Sequence, residues 1–109
     1  MNNETNHTIK YPATMHYEWH PTKEGVYAIH VRFPDLLAIG LHASTVGNDP
    51  EDAIVAAKEI LEIMVDYARE RGISLPKPTP LEKLSINRSF DDLPEPFRIV
   101  SEYIALDNE

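Results

Sequence analysis

Histidine is the residue type in this chain best suited to chemistry near neutral pH, and five histidines occur among its 109 residues. Imidazole binds zinc and exchanges protons close to pH 7. His16, His20, His30 and His42 alternate with apolar residues, so paired strands in a suitable register would bring them together on one polar face. Their spacing matches no common zinc motif. Polar residues on a sheet face are therefore the preferred interpretation, and a metal-dependent enzyme is the weakest alternative.

The acidic group Asp49, Glu51 and Asp52 is the other candidate for chemistry. Each residue lies where a helix is expected to begin, and capping accounts for carboxylates at that place. The chain has no cysteine, no Gly-x-Ser-x-Gly elbow and no glycine-rich phosphate loop. We expect no catalytic residue and no cofactor.

Two alternating segments would position the histidines. Residues 8–20 place large apolar side chains at odd positions and polar ones at even positions, which is typical of a strand with one buried face. Pro12 lacks an amide hydrogen, so it favours an edge strand or a bulge. Residues 25–33 repeat the alternation after a turn at 21–25, which predicts an antiparallel hairpin.

A third strand and a helix follow. Pro34 and Asp35 predict a turn. Residues 38–44 place Ile39, Leu41 and Ala43 on one side, which predicts a strand pairing back on the second one.

Residues 50–71 are predicted to form a long amphipathic helix. Asp49 is the expected N-cap, Pro50 the first helical residue and Asp52 a carboxylate beside the first-turn amides. Gly72 is the expected end of the helix. An apolar stripe at helical spacing would pack on the sheet; it comprises Ile54, Ala57, Leu61, Met64, Val65 and Ala68.

The remaining segments complete one domain, residues 1–109. Residues 1–7 are polar and expected to be flexible, residues 73–96 form a proline-rich connection, and residues 97–107 are predicted to be a last strand. The expected fold is α+β: a small antiparallel or mixed sheet in β-β-β-α-β order, with one long helix packed on one face and a proline-rich strap before the last strand.

Charge and composition limit the function classes. A net charge of -8 disfavours direct nucleic-acid binding and suits a basic protein partner, although solubility explains the same charge. The absence of cysteine, of a signal sequence and of a long apolar run predicts a cytoplasmic protein that does not enter membranes.

Several short motifs follow one another along the chain: Tyr11-Pro-Ala13, Gly25-Val-Tyr27, Phe33-Pro-Asp-Leu36, Gly47-Asn-Asp-Pro-Glu-Asp-Ala53 and Leu75-Pro-Lys-Pro78. Their order and spacing resemble the HicB family of bacterial and archaeal antitoxins. The resemblance covers residues 9–80. It implies a partial ribonuclease H-like fold without catalytic carboxylates, and a partner of the HicA type, a small basic ribonuclease that cleaves messenger RNA.

Two features depart from the family pattern. Leu37-Ala38-Ile39 replaces the usual Pro-Gly after Pro-Asp-Leu, and no helix-turn-helix or ribbon-helix-helix segment follows. We therefore expect no separate DNA-binding domain.

A partner is expected to contact exposed side chains along the open edges of the sheet. The predicted contact residues are Glu18, Trp19, Asp35, His42 and Tyr103. The leading hypothesis is an antitoxin, or a protein derived from one, that binds a HicA-type toxin and associates with itself as a dimer or tetramer. A homo-oligomeric structural module without a toxin partner is the main alternative.

Overall fold

Four strands form one antiparallel sheet, and a helix of 22 residues packs on one of its faces. The computed structural model describes residues 9–84 and 96–106. Its elements are β1 (Ile9–Trp19), β2 (Tyr27–Arg32), α1 (Pro34–Leu37), β3 (Ser44–Gly47), α2 (Pro50–Arg71), a 3-10 turn (Leu81–Lys83) and β4 (Arg98–Leu106). The strand order across the sheet is β3-β2-β1-β4. The predicted α+β class is confirmed.

The β1–β2 hairpin follows the predicted alternation on its helix-facing side, here called the inner face. Trp19 lies opposite Tyr27 and Thr14 opposite Arg32. The odd-numbered residues of β1 from Tyr11 to Tyr17 are buried as predicted, in the same core as the buried residues of α2. The other side of the sheet is here called the outer face. Thr14 and His16 are buried there too, although the alternation predicted a polar, solvent-facing side. Both residues have a strand on each side, because β1 pairs with β2 and with β4 at these positions.

The strand pairing around Pro12 explains how a proline can lie in the central strand β1. β1 pairs with β4 from Ile9 to Tyr17, whereas its pairing with β2 begins only at Thr14. The predicted edge strand is therefore wrong, because β1 is central in the sheet, but at Pro12 the strand has a neighbour on one side only and the missing amide hydrogen breaks no pairing with β2.

The segment after β2 differs from the prediction. Pro34 begins the short helix α1 instead of a hairpin turn: the Leu37 amide donates to the Phe33 carbonyl at 3.0 Å, and the Ala38 amide donates to the Pro34 carbonyl at 3.0 Å. Proline at the first helical position and Asp35 in the first turn favour this start. The predicted strand over residues 38–44 is wrong. The third strand is β3, Ser44–Gly47, which pairs antiparallel with β2.

Helix α2 has the predicted bounds and both predicted ends. The Asp52 amide donates to Asp49 Oδ1 at 2.8 Å, and the Asn48 amide donates to Asp52 Oδ2 at 3.0 Å. Pro50 is the first helical residue, and Gly72 ends the helix with a left-handed φ of 69°. The buried stripe comprises Ala53, Ala57, Leu61, Val65 and Ala68, with Ile54 and Met64 packed at its border.

The turn between β3 and α2 is tight because the backbone at Gly47 closely approaches the backbone of Ala53. A Cβ atom at Gly47 would lie 2.5 Å from both the nitrogen and the Cα of Ala53. Gly47 and Ala53 are the two ends of the motif Gly47-Asn-Asp-Pro-Glu-Asp-Ala53. Small residues at both ends let the first turn of α2 lie directly on the end of β3.

The C-terminal strand is confirmed as β4, and its partner is the first strand. β4 pairs antiparallel with β1 over nine positions, from Arg98 opposite Tyr17 to Leu106 opposite Ile9. Before it, residues 73–80 form the extended proline-rich strap that the sequence predicted. The predicted flexible N-terminus (1–7), residues 85–95 of the connection and position 107 of the last strand lie outside the described residues.

Candidate functional site

The structure brings two of the four candidate histidines together. His16 and His30 lie opposite each other on β1 and β2, and His30 Nε2 is 2.8 Å from Glu18 Oε1. His20 lies in the β1–β2 turn, where its Nδ1 accepts hydrogen bonds from the amides of Thr22 and Lys23. His42 is exposed ahead of β3. The four histidines therefore do not meet at one site. His16 and His30 face each other, His20 accepts hydrogen bonds in the turn, and His42 lies elsewhere.

The pair of facing histidines has a defined electrostatic character. Burial is the main cause that lowers the pKa of His16, and the neighbouring charges of His30 and Arg32 act in the same direction, while Glu18 opposes them. A lowered pKa favours the neutral ring near pH 7. Across residues 9–84 and 96–106, no group of three or more histidine, aspartate or glutamate side chains is placed to hold a metal ion.

The carboxylates at the start of α2 serve the helix. The Asp49 carboxylate accepts the Asp52 amide, and the Asp52 carboxylate accepts the Asn48 amide, so both side chains cap the start of the helix. Glu51 is exposed in the same turn. Their position is fully explained by the predicted capping role.

The strap is fastened to both faces of the sheet by polar contacts. The Thr79 amide and hydroxyl donate to the two Asp35 carboxylate oxygens at 2.7 and 2.6 Å. The Tyr11 hydroxyl donates to the Pro76 carbonyl, and the Leu81 amide donates to the Tyr103 hydroxyl at 3.3 Å. Burial, with a smaller contribution from the Asp35 charge, raises the pKa of Tyr11. Asp35 and Tyr103, two predicted partner contacts, therefore also hold the strap in place.

Four aromatic residues form an aromatic cluster at the far end of β1. The cluster comprises Tyr17, Trp19, Tyr27 and Phe97. Trp19 stacks on Phe97 with ring centroids 4.2 Å apart, and Tyr17 stacks on Tyr27 at 5.8 Å. Trp19 is 55% exposed and Phe97 43% exposed. Aromatic pairs of this geometry stabilise one another beyond what burial alone contributes.

The aromatic cluster lines a shallow depression on the inner side of the sheet. The depression holds about 280 Å³ and is bordered by the four rings, Gly25, Pro50 and Arg98. The Arg98 guanidinium lies 5.3 Å from the centre of the Tyr17 ring. A concave, rigid and mostly apolar surface of this kind suits an anchoring side chain from another protein.

The predicted partner contacts do not form one patch. Trp19 lies at the end of β1, whereas Tyr103 lies opposite Pro12, about 23 Å away along seven residues of strand at about 3.3 Å each. Trp19 points to the inner face, while Glu18 and Tyr103 lie on the outer face. The role of the five residues in binding stays a prediction, and Trp19 is the one with the most exposed apolar surface.

Three members of the cluster, Tyr17, Tyr27 and Phe97, were not among the predicted contacts. Tyr27 is signalled by the sequence, because a hairpin closed by the turn at 21–25 sets it opposite Trp19. No sequence signal predicts Phe97, since its place depends on β4 pairing with β1 across most of the chain.

Helix α2 carries a second, smaller apolar surface. Val55, Ile63 and Tyr67 are 51%, 55% and 40% exposed at helical spacing. Arg71 lies over the Tyr67 ring, 4.6 Å from its centre. Since Glu59 and Glu62 lie among these residues, the helix surface is mixed in character, unlike the continuous aromatic cluster.

Comparison with solved structures gives a match over nearly the whole chain. One chain of a toxin–antitoxin complex from Streptococcus pneumoniae superposes with a TM-score of 0.72 at 23% sequence identity. The match covers 93% of this chain and 70% of that chain. The two proteins therefore share a fold. No protein-family model matches the sequence, and a search of curated proteins also gives no match.

Among the described residues, every helix is too short or too polar to cross a bilayer.

Proposed function

We propose that this protein is an antitoxin of the HicB type, which binds a small basic ribonuclease of the HicA type and blocks messenger RNA cleavage. The observation that carries the proposal is the shared fold with a chain of a toxin–antitoxin complex. The motif order along residues 9–80 resembles the HicB family and adds support from the sequence. The proposed mechanism is occlusion of the toxin, with no reaction catalysed by this chain.

The aromatic cluster is the proposed anchor for the toxin. Tryptophan and tyrosine dominate the binding energy of protein interfaces when a partner covers them. Trp19 and Phe97 are already stacked, so little side-chain entropy is lost when they are covered. A toxin side chain seated in the depression would remove both rings from water.

Charge supports the choice of a basic partner. The net charge of -8 accelerates encounter with a cationic protein and repels RNA. Increasing salt is expected to slow association strongly and to change the dissociation rate much less.

The test measures inhibition of the toxin with matched variants. An antitoxin gene is expected to lie beside a short reading frame for a basic toxin. The protein from such a frame would be expressed, and its cleavage of messenger RNA measured against added antitoxin. Trp19→Ala should weaken binding by about 2 kcal/mol or more, or roughly thirtyfold in Kd, as expected for a central aromatic contact. Ile63→Ala is the matched control, because Ile63 is also 55% exposed but lies on α2. Its affinity should stay within about twofold of wild type.

Two experimental results would contradict the proposal in different ways. Full toxin activity at a molar excess of wild-type protein would overturn the antitoxin function itself. Tight inhibition that is lost in Ile63→Ala and retained in Trp19→Ala would keep the function and move the interface to α2.

A further inference from the structure

The two edges of the sheet differ in how they are protected. β3 forms one edge and has only four residues, with α2 beginning three positions after it ends. β4 forms the other edge and has nine residues without proline. Short edge strands resist pairing with other chains, whereas long regular ones invite it.

Among the described residues, no strand pairs with β4 on the side away from β1. In an antiparallel pair, alternate residues direct their amide and carbonyl groups away from the neighbouring strand. Within residues 9–84 and 96–106, β4 pairs with β1 alone. The strand is regular over its nine residues, since each position from Arg98 to Leu106 has one opposite residue on β1.

We propose that two copies of this chain associate through β4, which pairs with itself antiparallel across a twofold axis at Val100. In this register, Val100 faces Val100 of the second copy. Arg98 faces Glu102 of the second copy, and Glu102 faces its Arg98. The joined sheet has eight strands, and both α2 helices lie on the same side of it.

The charged residues of β4 favour the register centred on Val100 over registers centred on a nearby residue. Arg98, Val100 and Glu102 share the inner face, because they lie opposite Tyr17, Met15 and Ala13. An axis at Glu102 would set two carboxylates against each other, which is destabilising. An axis at Ser101 would set both charged residues against apolar ones. Only the register centred on Val100 forms two reciprocal opposite-charge pairs.

The side chains concerned are available for such contacts. Arg98 and Glu102 are both exposed, and neither takes part in an ion pair within the part of the chain that the structure describes. Ile99 and Val100 are only half-buried and would be covered by the second copy. β-Branched residues facing each other across strands add to the stability of the pairing.

Charge reversal on the isolated protein tests the register. Sedimentation velocity over a concentration series would measure the dimer Kd of wild type, Arg98→Glu, Glu102→Arg and the double variant. Each single variant sets like charges against each other at both contacts, so Kd should rise by about tenfold or more. The double variant restores opposite charges and should return Kd to within about threefold of wild type. Glu62→Arg on α2 changes the net charge as Glu102→Arg does and should leave Kd unchanged.

A cross-link provides the second measurement, because it does not depend on charge. The chain contains no cysteine, so Val100→Cys introduces the sole thiol. At the twofold axis two such thiols face each other at a separation that a disulfide can span. Mild oxidation should yield a covalent dimer of Val100→Cys and none of Ser44→Cys, which carries its thiol on the opposite edge.

None of these measurements involves the toxin. The dimer proposal is therefore tested independently of the antitoxin function. A wild-type protein that is monomeric at every concentration overturns it. A dimer whose Kd is not restored in the double variant, or that cross-links through Ser44→Cys in place of Val100→Cys, overturns it as well. Circular dichroism of each variant confirms that folding is unchanged before Kd is compared.

Discussion

Replacing Gly47 with alanine tests the closest backbone contact in the fold. The added Cβ would lie 2.5 Å from the backbone nitrogen and the Cα of Ala53. Ordinary contacts of this kind are about 3.5 Å or longer, so β3 and the first turn of α2 must separate by about 1 Å. Neither neighbour is a flexible side chain that could turn aside. The whole cost is therefore borne by the packing between strand and helix.

The expected magnitude follows from that displacement. Overpacking of this kind costs about 3 kcal/mol when the surroundings cannot relax. For 109 residues, the entropy of unfolding is about 0.23 kcal/mol/K, so the same loss lowers Tm by about 13 °C. Calorimetry or a thermal melt followed by circular dichroism measures the shift directly.

Two control variants separate the collision from other effects of the substitution. Gly72→Ala makes the same chemical change at the other end of α2, where nothing lies within 4 Å of the added Cβ but φ is 69°. It should cost about 1 kcal/mol from backbone strain alone. Adding Ala53→Gly to Gly47→Ala should not restore stability, because the collision is with the nitrogen and Cα that glycine retains. A Tm for Gly47→Ala close to that of wild type, or a rescue by Ala53→Gly, would refute this account of the turn.

Three further predictions concern the core, the strap and pH. Leu61→Asp should lower the free energy of unfolding by more than about 4 kcal/mol because it buries a carboxylate. Ile63→Asp, on the exposed side of α2, should hardly change Tm. Equal Tm values for the two variants would mean that the helix faces are misassigned. Asp35→Ala removes both acceptors of Thr79 and should cost about 2 kcal/mol, with protease cleavage of the strap as the local measurement; unchanged cleavage would contradict the fastening role. The pKa of His16 is lowered mainly by burial, so the unfolded chain binds this proton at a higher pH than the folded one, and the free energy of unfolding should fall as pH drops below about 6.5. Denaturant titrations at several pH values should show this fall in wild type and a smaller one in His16→Gln.

Local chemistry in the sequence was sufficient to predict α2 and the first hairpin. Helix ends are determined by residues within one turn, so Asp49, Pro50 and Gly72 could be assigned without knowledge of the fold. The alternation in β1 and β2 likewise depends on neighbours along the chain. The same local reasoning failed at residues 38–44, where an apolar run resembles a strand but the helical start at Pro34 displaces β3 to Ser44–Gly47.

The tertiary structure decided which residues meet from distant parts of the sequence. Because β4 pairs with β1, Phe97 joins Trp19 in the aromatic cluster, and Arg98 and Glu102 lie on an open edge. The same pairing encloses β1 on both sides and buries Thr14 and His16 on a face that the sequence marks as polar. Strand order depends on contacts between residues far apart in the chain, which no local pattern encodes. The sequence by itself thus determined α2 with both its ends and the first hairpin, and the assembled sheet determined the surfaces through which this protein can bind others.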